Sequence, residues 1–395
     1  MYRNAVLLIL LHVSLLIHAA KPLTDKAQFS LLIGAPNGVS VFSVFGHAAM
    51  RINDPGLNID YIFNYGVFDG TNVENILQLL KGNLYCELWV YDTEEYLEES
   101  RRMGIGLKEH ILSFLPEEKE TLWQYLIAMG ERQHGRYRYD ILRTNCATLP
   151  LMAIEKAAPG KIIYGDSTAL PSGGYDHLAY PYLKPYPWAC FLAYLFFGNA
   201  IGQPLSFKES LFLPDNLEAA FQSAVIVTGS DSRPLIASTD TMVENTRKNT
   251  APGFFTPSTV GWLLLAAVLV LSLIEWKKKR YFRAIDCTLF GIAGLCGIII
   301  FLLNTVFAEW YTLFNYHLSW LHPLHLSGVV FFAFGKFNKQ AYYYHLFNLA
   351  ALLAGAILLS VFGIEAMLLI VAAPFMLTLG TRSIFGLIRY NKNKK

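Results

Sequence analysis

The sequence predicts an α+β extracytoplasmic domain followed by an α-helical membrane domain of about five transmembrane helices. Three observations predict it. First, 54% of the 395 residues are hydrophobic and the mean hydropathy is +0.35, yet the apolar residues gather at the far N-terminus and beyond residue 258, so the average describes two materials. Second, between Phe29 and Ala157 short β-like runs mix with helical spacings. Third, Lys and Arg cluster after alternate apolar runs, which orients those runs in a bilayer. The expected division is a signal peptide over 1–20, an extracytoplasmic domain over 21–227, a linker over 228–258 and a multi-helix transmembrane domain over 259–395.

Met1-Tyr2-Arg3-Asn4, the apolar run Ala5 to Ile17 and the small pair Ala19-Ala20 have the three regions of a secretory signal,. An uncleaved anchor would need roughly 20 apolar residues. The run is shorter, so cleavage near Ala20 is expected. Strands are predicted at Phe29 to Ile33, His47 to Ile52, Asp60 to Tyr65 and Leu84 to Tyr91, with turn signals such as Asn53-Asp54-Pro55-Gly56 between them,. Helices are predicted at Asn72 to Lys81, from Pro116 with acidic residues in the first turn, and at Ala147 to Ala157,. Residues 228–258 are rich in Ser, Thr, Asp, Asn and Pro without periodicity, which suits a tether.

The five expected spans are Val260 to Trp276, Ala284 to Phe307, Leu318 to Phe334, Tyr342 to Phe362 and Ala366 to Leu387,. Lys277-Lys278-Lys279-Arg280, then Lys336 and Lys339, then Arg389, Lys392, Lys394 and Lys395 mark cytoplasmic ends,. The chain is therefore expected to be a multi-pass membrane protein with the N-terminal domain outside the cytoplasm and the C-terminus in the cytoplasm. The loop carrying Trp310, Tyr311, Trp320, His322 and His325 would then face outward at headgroup level. A net charge of +2 gives no case for nucleic-acid binding, which usually requires a basic face.

Chemistry is suggested by two residues about a hundred positions apart. His47 follows Gly46 and opens a strand-like run; Cys146 follows Asn145 and precedes Ala147 and Thr148, as a thiol at a helix start would. A nucleophile and its base need only be neighbours in space. Of the five cysteines, Cys287 and Cys296 fall in an expected span, which leaves Cys86, Cys146 and Cys190 outside. Cys86 and Cys190 either form a disulfide or pack as small apolar residues, and one thiol stays free in both cases. No CxxC or His-x-x-x-His spacing points to zinc, and no cofactor is indicated. His110, His134 and His177 read as surface or loop residues.

In their order and spacing, Phe45-Gly46-His47-Ala48-Ala49-Met50-Arg51, Phe63-Asn64-Tyr65-Gly66-Val67-Phe68-Asp69, Tyr137-Arg138-Tyr139-Asp140, Asn145-Cys146-Ala147-Thr148 and Phe212-Leu213-Pro214-Asp215-Asn216-Leu217 resemble the Lnb-type lipoprotein N-acyltransferases of Bacteroides-type bacteria. The resemblance extends through the membrane part, including Trp320-Leu321-His322-Pro323-Leu324. The N-terminal domain also resembles permuted NlpC-type papain-like thiol enzymes, although Thr144 stands where that resemblance implies an acidic residue. The resemblance implies transfer of an acyl chain from a membrane phospholipid, through a Cys146 thioester, to the α-amine of a lipoprotein acceptor's lipidated N-terminal cysteine.

On this reading His47 is the base and Cys146 the nucleophile. The residue that orients His47 is Asn64, with Asp60 as the alternative on the same strand face. Tyr65, Tyr137 and Tyr139 are candidates to line the cleft. Asn145 either contacts substrate or caps the helix. Trp188 begins the aromatic segment Pro187 to Phe197, which lies in the interface, walls an acyl groove or forms a buried helix,. Pro150 requires that the helix after Cys146 begin close enough to place it in the first turn. A tethered cysteine peptidase or amidase acting on cell-wall peptides would use the same pair, and a non-enzymatic membrane module would not need Cys146 at all.

Overall fold

The computed structural model describes residues 22–40, 43–68, 72–131, 136–165, 170–247, 253–362 and 366–393. The signal peptide expected over 1–20, and His134, lie outside these residues. The chain divides into two units. One contains Met1–Leu178 with Pro204–Asn249, and the other Ala179–Gln203 with Thr250–Lys395.

In the first unit the chain runs through β1 (Gln28–Gly34), β2 (His47–Asp54), β3 (Ile59–Val67), α1 (Val73–Leu80), β4 (Tyr85–Asp92), α2 (Thr93–Met103), β5 (Leu107–Leu112), α3 (Pro116–Glu131), β6 (Tyr137–Arg138), α4 (Thr148–Ala157) and β7 (Ile162–Ile163). After α5 (Tyr175–Leu183) and α6 (Pro187–Phe196) it returns with α7 (Phe207–Ser210), α8 (Pro214–Gln222), β8 (Val225–Thr228), β9 (Asp231–Pro234) and β10 (Ile236–Val243). Seven strands form an antiparallel sheet in the order β10-β5-β1-β2-β3-β4-β6, and β7-β8-β9 form a smaller one.

The period of two along each strand sorts side chains onto two faces. One face carries Phe29, Leu31, Met50, Ile52, Phe63 and Tyr65, which pack against Trp123 and Leu126 of α3, Ile154 of α4 and Phe221 of α8. The opposite face carries Leu32, Ala49, Ile62 and Leu107, covered by Leu97 of α2. Alternation places His47 and Arg51 of β2, and Asp60 and Asn64 of β3, on this second face. Arg51 is held there by both oxygens of Asp60 at 2.7 Å and by Glu109 at 2.9 Å.

The segment expected to be a tether is partly folded. Residues Asp231 to Val243 form β9 and β10, and β10 pairs with β5 along the sheet edge. Its polar side chains are mostly exposed, so backbone pairing rather than an apolar alternation holds it. His110, expected at the surface, is fully buried on β5 and bonds Thr239 Oγ1 at 2.9 Å.

In the second unit, α9 (Pro257–Lys278), α10 (Arg283–Leu302), α11 (His325–Ala333), α12 (Asn338–Phe362) and α13 (Ala366–Asn393) follow in order. Among the described residues four helices are long and apolar enough to cross a membrane: α9, α10 with its continuation to Phe307, α12 and the Leu369–Asn391 part of α13. The expected third span, Leu318 to Phe334, instead folds as a short 3-10 turn at Tyr316–Ser319 and the nine-residue α11. At 1.5 Å per residue that helix is too short to cross unaided. The aromatic loop expected at headgroup level is packed inward. Tyr311, Trp320, His322 and His325 are all buried.

A charged cluster lies where α9 ends and α10 begins. Arg382 of α13 donates to Asp286 of α10 and, at 2.7 Å, to Glu275 of α9; all three residues are buried. Ser272 Oγ accepts from the same guanidinium at 2.8 Å, and Tyr281 donates to Asp286 at 2.7 Å. Charges inside a membrane helix bundle persist only when paired in this way.

Candidate active site

His47 is placed by a glycine. Gly46 has φ of +80°, a conformation that L side chains rarely adopt, and a Cβ there would lie 2.8 Å from the carbonyl oxygen of Gly34,. The chain thus turns sharply and enters β2 with His47 opposite Gly34. On β3 the pairing with β4 is interrupted between Asn64 and Val67 by one extra residue, and Gly66 within that bulge has φ of +79°,. A Cβ on Gly66 would lie 3.8 Å from that of Cys146. The bulge is therefore where strand backbone and thiol meet.

Cys146 is presented by a loop whose polar groups are consumed in holding it. Asp140 Oδ1 accepts from the amides of Leu142 and Arg143 at 2.9 Å, and Thr144 Oγ1 donates to the Arg138 carbonyl at 2.8 Å. Asn145 Oδ1 accepts from the amides of Ala147 and Thr148, both at 2.9 Å, which caps the start of α4,. Its Nδ2 donates to the carbonyls of Ile141 and Phe212. Pro150 is the third residue of α4, close enough to its start for proline to be tolerated,.

The two segments bring the thiol and the imidazole together. His47 hydrogen-bonds with Cys146, and its Nε2 bonds Asn64 Oδ1. An amide oxygen can only accept, so the proton lies on Nε2 and Nδ1 is the basic nitrogen. Burial opposes charge on both partners. The imidazolium, with the Ala48 amide, outweighs this for Cys146 and holds its pKa below the usual thiol range; the thiolate and Asn64 outweigh it for His47 and hold its pKa above the usual imidazole value. Each partner thus shifts the other toward its charged form, thiolate and imidazolium,.

Asp60, the alternative orienting residue, is not free for His47. Both of its oxygens are held by Arg51, and Thr93 Oγ1 donates to Oδ1 at 2.6 Å. Tyr139 is half-buried beside the thiol; burial first, then the Cys146 charge, raises its pKa well above the ordinary phenol value. Tyr137 shares Cys86 and Cys146 as neighbours. Tyr96 of α2 is a further neighbour of Cys146, one that the sequence concealed within the charged stretch Thr93-Glu94-Glu95-Tyr96-Leu97-Glu98-Glu99.

Two expected substrate contacts, Tyr65 and Asn145, are committed to the core and to the loop. Tyr65 is fully buried in the core opposite Asn64, because the period of two turns it to the other face. Asn145 is 3% exposed, and its amide is committed to the cap and the loop. Trp188 belongs to the second unit, where its Nε1 donates to the Phe255 carbonyl at 2.7 Å. All five cysteines are free thiols. Among the described residues no three His, Cys, Asp or Glu side chains are grouped to hold a metal ion.

The chain matches the Lnb N-terminal periplasmic domain over residues 24–170 and the Lnb transmembrane domain over residues 249–394. Searches of curated proteins and of solved structures give no match.

Proposed function

Because the chain belongs to the Lnb family, as a membrane protein with a periplasmic domain, we propose that it is a lipoprotein N-acyltransferase of the bacterial inner membrane whose acyl carrier is Cys146. One observation carries this reading: a thiol whose imidazole partner is itself fixed by an amide oxygen, with the Ala48 amide directed at the sulfur. In the first half-reaction the thiolate attacks the ester carbonyl of a membrane phospholipid. The C–O bond breaks, the leaving alkoxide takes the proton from His47, and a thioester remains on Cys146. In the second, the α-amine of the lipoprotein's N-terminal cysteine attacks the thioester. An amide forms, the C–S bond breaks, and Nδ1 of His47 takes the amine proton, which restores the starting pair. An α-amine with a pKa of about 8 is partly neutral at physiological pH, so the base need not generate it unaided. The backbone amide of Cys146, at the head of α4, is the candidate donor to the oxyanion. The C-terminus is assigned to the cytoplasm on the placement of Lys and Arg.

The test is mass spectrometry of a lipoprotein's N-terminal lipopeptide from cells lacking the activity and rescued with wild type, Cys146→Ala or His47→Ala. Wild type alone should restore a third, amide-linked chain, and intact Cys146 should carry a hydroxylamine-labile acyl group after exposure to phospholipid. Full rescue by Cys146→Ala would sink the thioester route. Absence of a third chain even with wild type would turn attention to cysteine peptidase chemistry.

A further inference from the structure

Where α12 begins and α13 finishes, the second unit contains a cavity of about 240 Å³. Asn338, Tyr342 and His345 line it from α12, and Gly386, Arg389 and Tyr390 from α13. No carboxylate is among these residues, and Arg389 brings a permanent positive charge. The first turn of α12 adds the positive end of a 25-residue helix,.

His345 is the second, independent observation. It is 1% exposed. Its Nδ1 lies 3.2 Å from Ser383 Oγ, which accepts from Asn348 Nδ2 at 2.9 Å. Nδ1 is therefore satisfied by the hydroxyl, which leaves Nε2 as the ring atom to account for,. Nε2 has no partner. It lies against Gly386, where a Cβ would collide with it. Gly386 thus leaves room for the imidazole, and a buried ring nitrogen without a partner lines the cavity, where an unpaired polar group is unfavourable,.

The remaining groups suit the same ligand. The rings of Tyr342 and Tyr390 pack with centroids 4.6 Å apart, and the Arg389 guanidinium lies 3.3 Å over the ring of Tyr281, which orients its fork,. Several donors, one fixed charge and a helix N-terminus converge on a single cavity, and the group that answers them is a phosphate oxyanion. Both helices are candidate membrane spans, so their ends lie where lipid headgroups lie. We propose that this cavity binds the phosphate of a phospholipid headgroup, at a site separate from the thiol chemistry. Tyr281 connects it to the buried ion cluster, since it also donates to Asp286. An occupied cavity should therefore stabilise the helix bundle as any native-state ligand does.

The experiment uses the full-length protein, delipidated in detergent, with dioleoyl phosphatidylglycerol in one arm and inorganic phosphate in the other, read by native mass spectrometry and thermal midpoint. Wild type should retain one lipid per chain and melt higher with it. Arg389→Gln should bind about tenfold more weakly, and Arg389→Lys, which keeps the charge, should lose less. Tyr390→Phe, which removes only a hydroxyl, guards against misfolding and should weaken retention about threefold. Inorganic phosphate that displaces the lipid would retain the oxyanion site but overturn its assignment to a headgroup. Lipid binding unchanged in both Arg389→Gln and Tyr390→Phe, with lipid-free melting as in wild type, would overturn the site itself.

Discussion

At the scale of the residue, Cys146 and His47 hold each other charged against the penalty of burial, and this has a definite pH signature. The thiolate forms as pH rises through a thiol pKa lowered by His47, and the imidazolium is lost as pH rises through an imidazole pKa raised by Cys146. Both shifts favour the ion pair over the neutral pair,. Iodoacetamide should modify Cys146 well below pH 8.5, the ordinary thiol value. Cys86, pushed up to about 12 by burial and then by the charges of Cys146 and Glu87, should stay unmodified in the folded protein. In His47→Ala the Cys146 labelling profile should move to higher pH; a profile that does not move would remove His47 as the partner of the thiol. Asn64→Ala keeps both groups but frees the ring to change tautomer. It should forfeit part of the roughly 10²–10⁴-fold that a positioned acid–base group supplies, as a fall in kcat with KM little changed.

The elements explain why the site is rigid. Asn145 ties the first turn of α4 to the Cys146 loop and, through the Phe212 carbonyl, to the segment that opens α8. Asn145→Ala should lower unfolding stability by about 2 kcal/mol, from the lost cap and the orphaned amides, and should reduce Cys146 reactivity as well; a melting temperature equal to wild type would show that the cap is dispensable. This is also where the sequence was partly readable. The four strands from β1 to β4 and helices α1, α3 and α4 were visible because their apolar residues repeat with period two or 3.6. His47, Asn64 and Cys146 stood beside glycines or a cap residue, which are local signals. Strand β10 was not visible, since an edge strand with exposed Ser, Thr and Asp has no apolar alternation. Tyr65 was misplaced for a related reason: the bulge beside it draws attention to the strand end, yet the alternation still sends its ring to the core. The part of Leu318 to Phe334 that does not become helix contains a buried turn, and hydropathy alone cannot separate a turn buried by protein from one buried by lipid.

At the scale of the whole molecule, the membrane unit is joined by polar as well as apolar contacts. Arg382 links α9, α10 and α13 through Glu275 and Asp286. Its truncation leaves two buried carboxylates facing each other. Arg382→Ala should cost about 3–5 kcal/mol, measured as a drop in thermal midpoint, and the added changes Glu275→Gln and Asp286→Asn should recover part of it; a single variant as stable as wild type would show the cluster to be ornamental. The division of the chain into units has a further consequence, which concerns timing. Residues 179–203 leave the first unit and return to it, yet they belong with helices that begin only at Pro257. As the chain is made and exported, α6 emerges before any of its partners exist, and the first unit closes around an excursion whose destination has not yet been synthesised. The first unit can close before the second is complete, and a fragment cut at residue 247 would keep His47 and Cys146 while carrying an apolar helix with nowhere to fold.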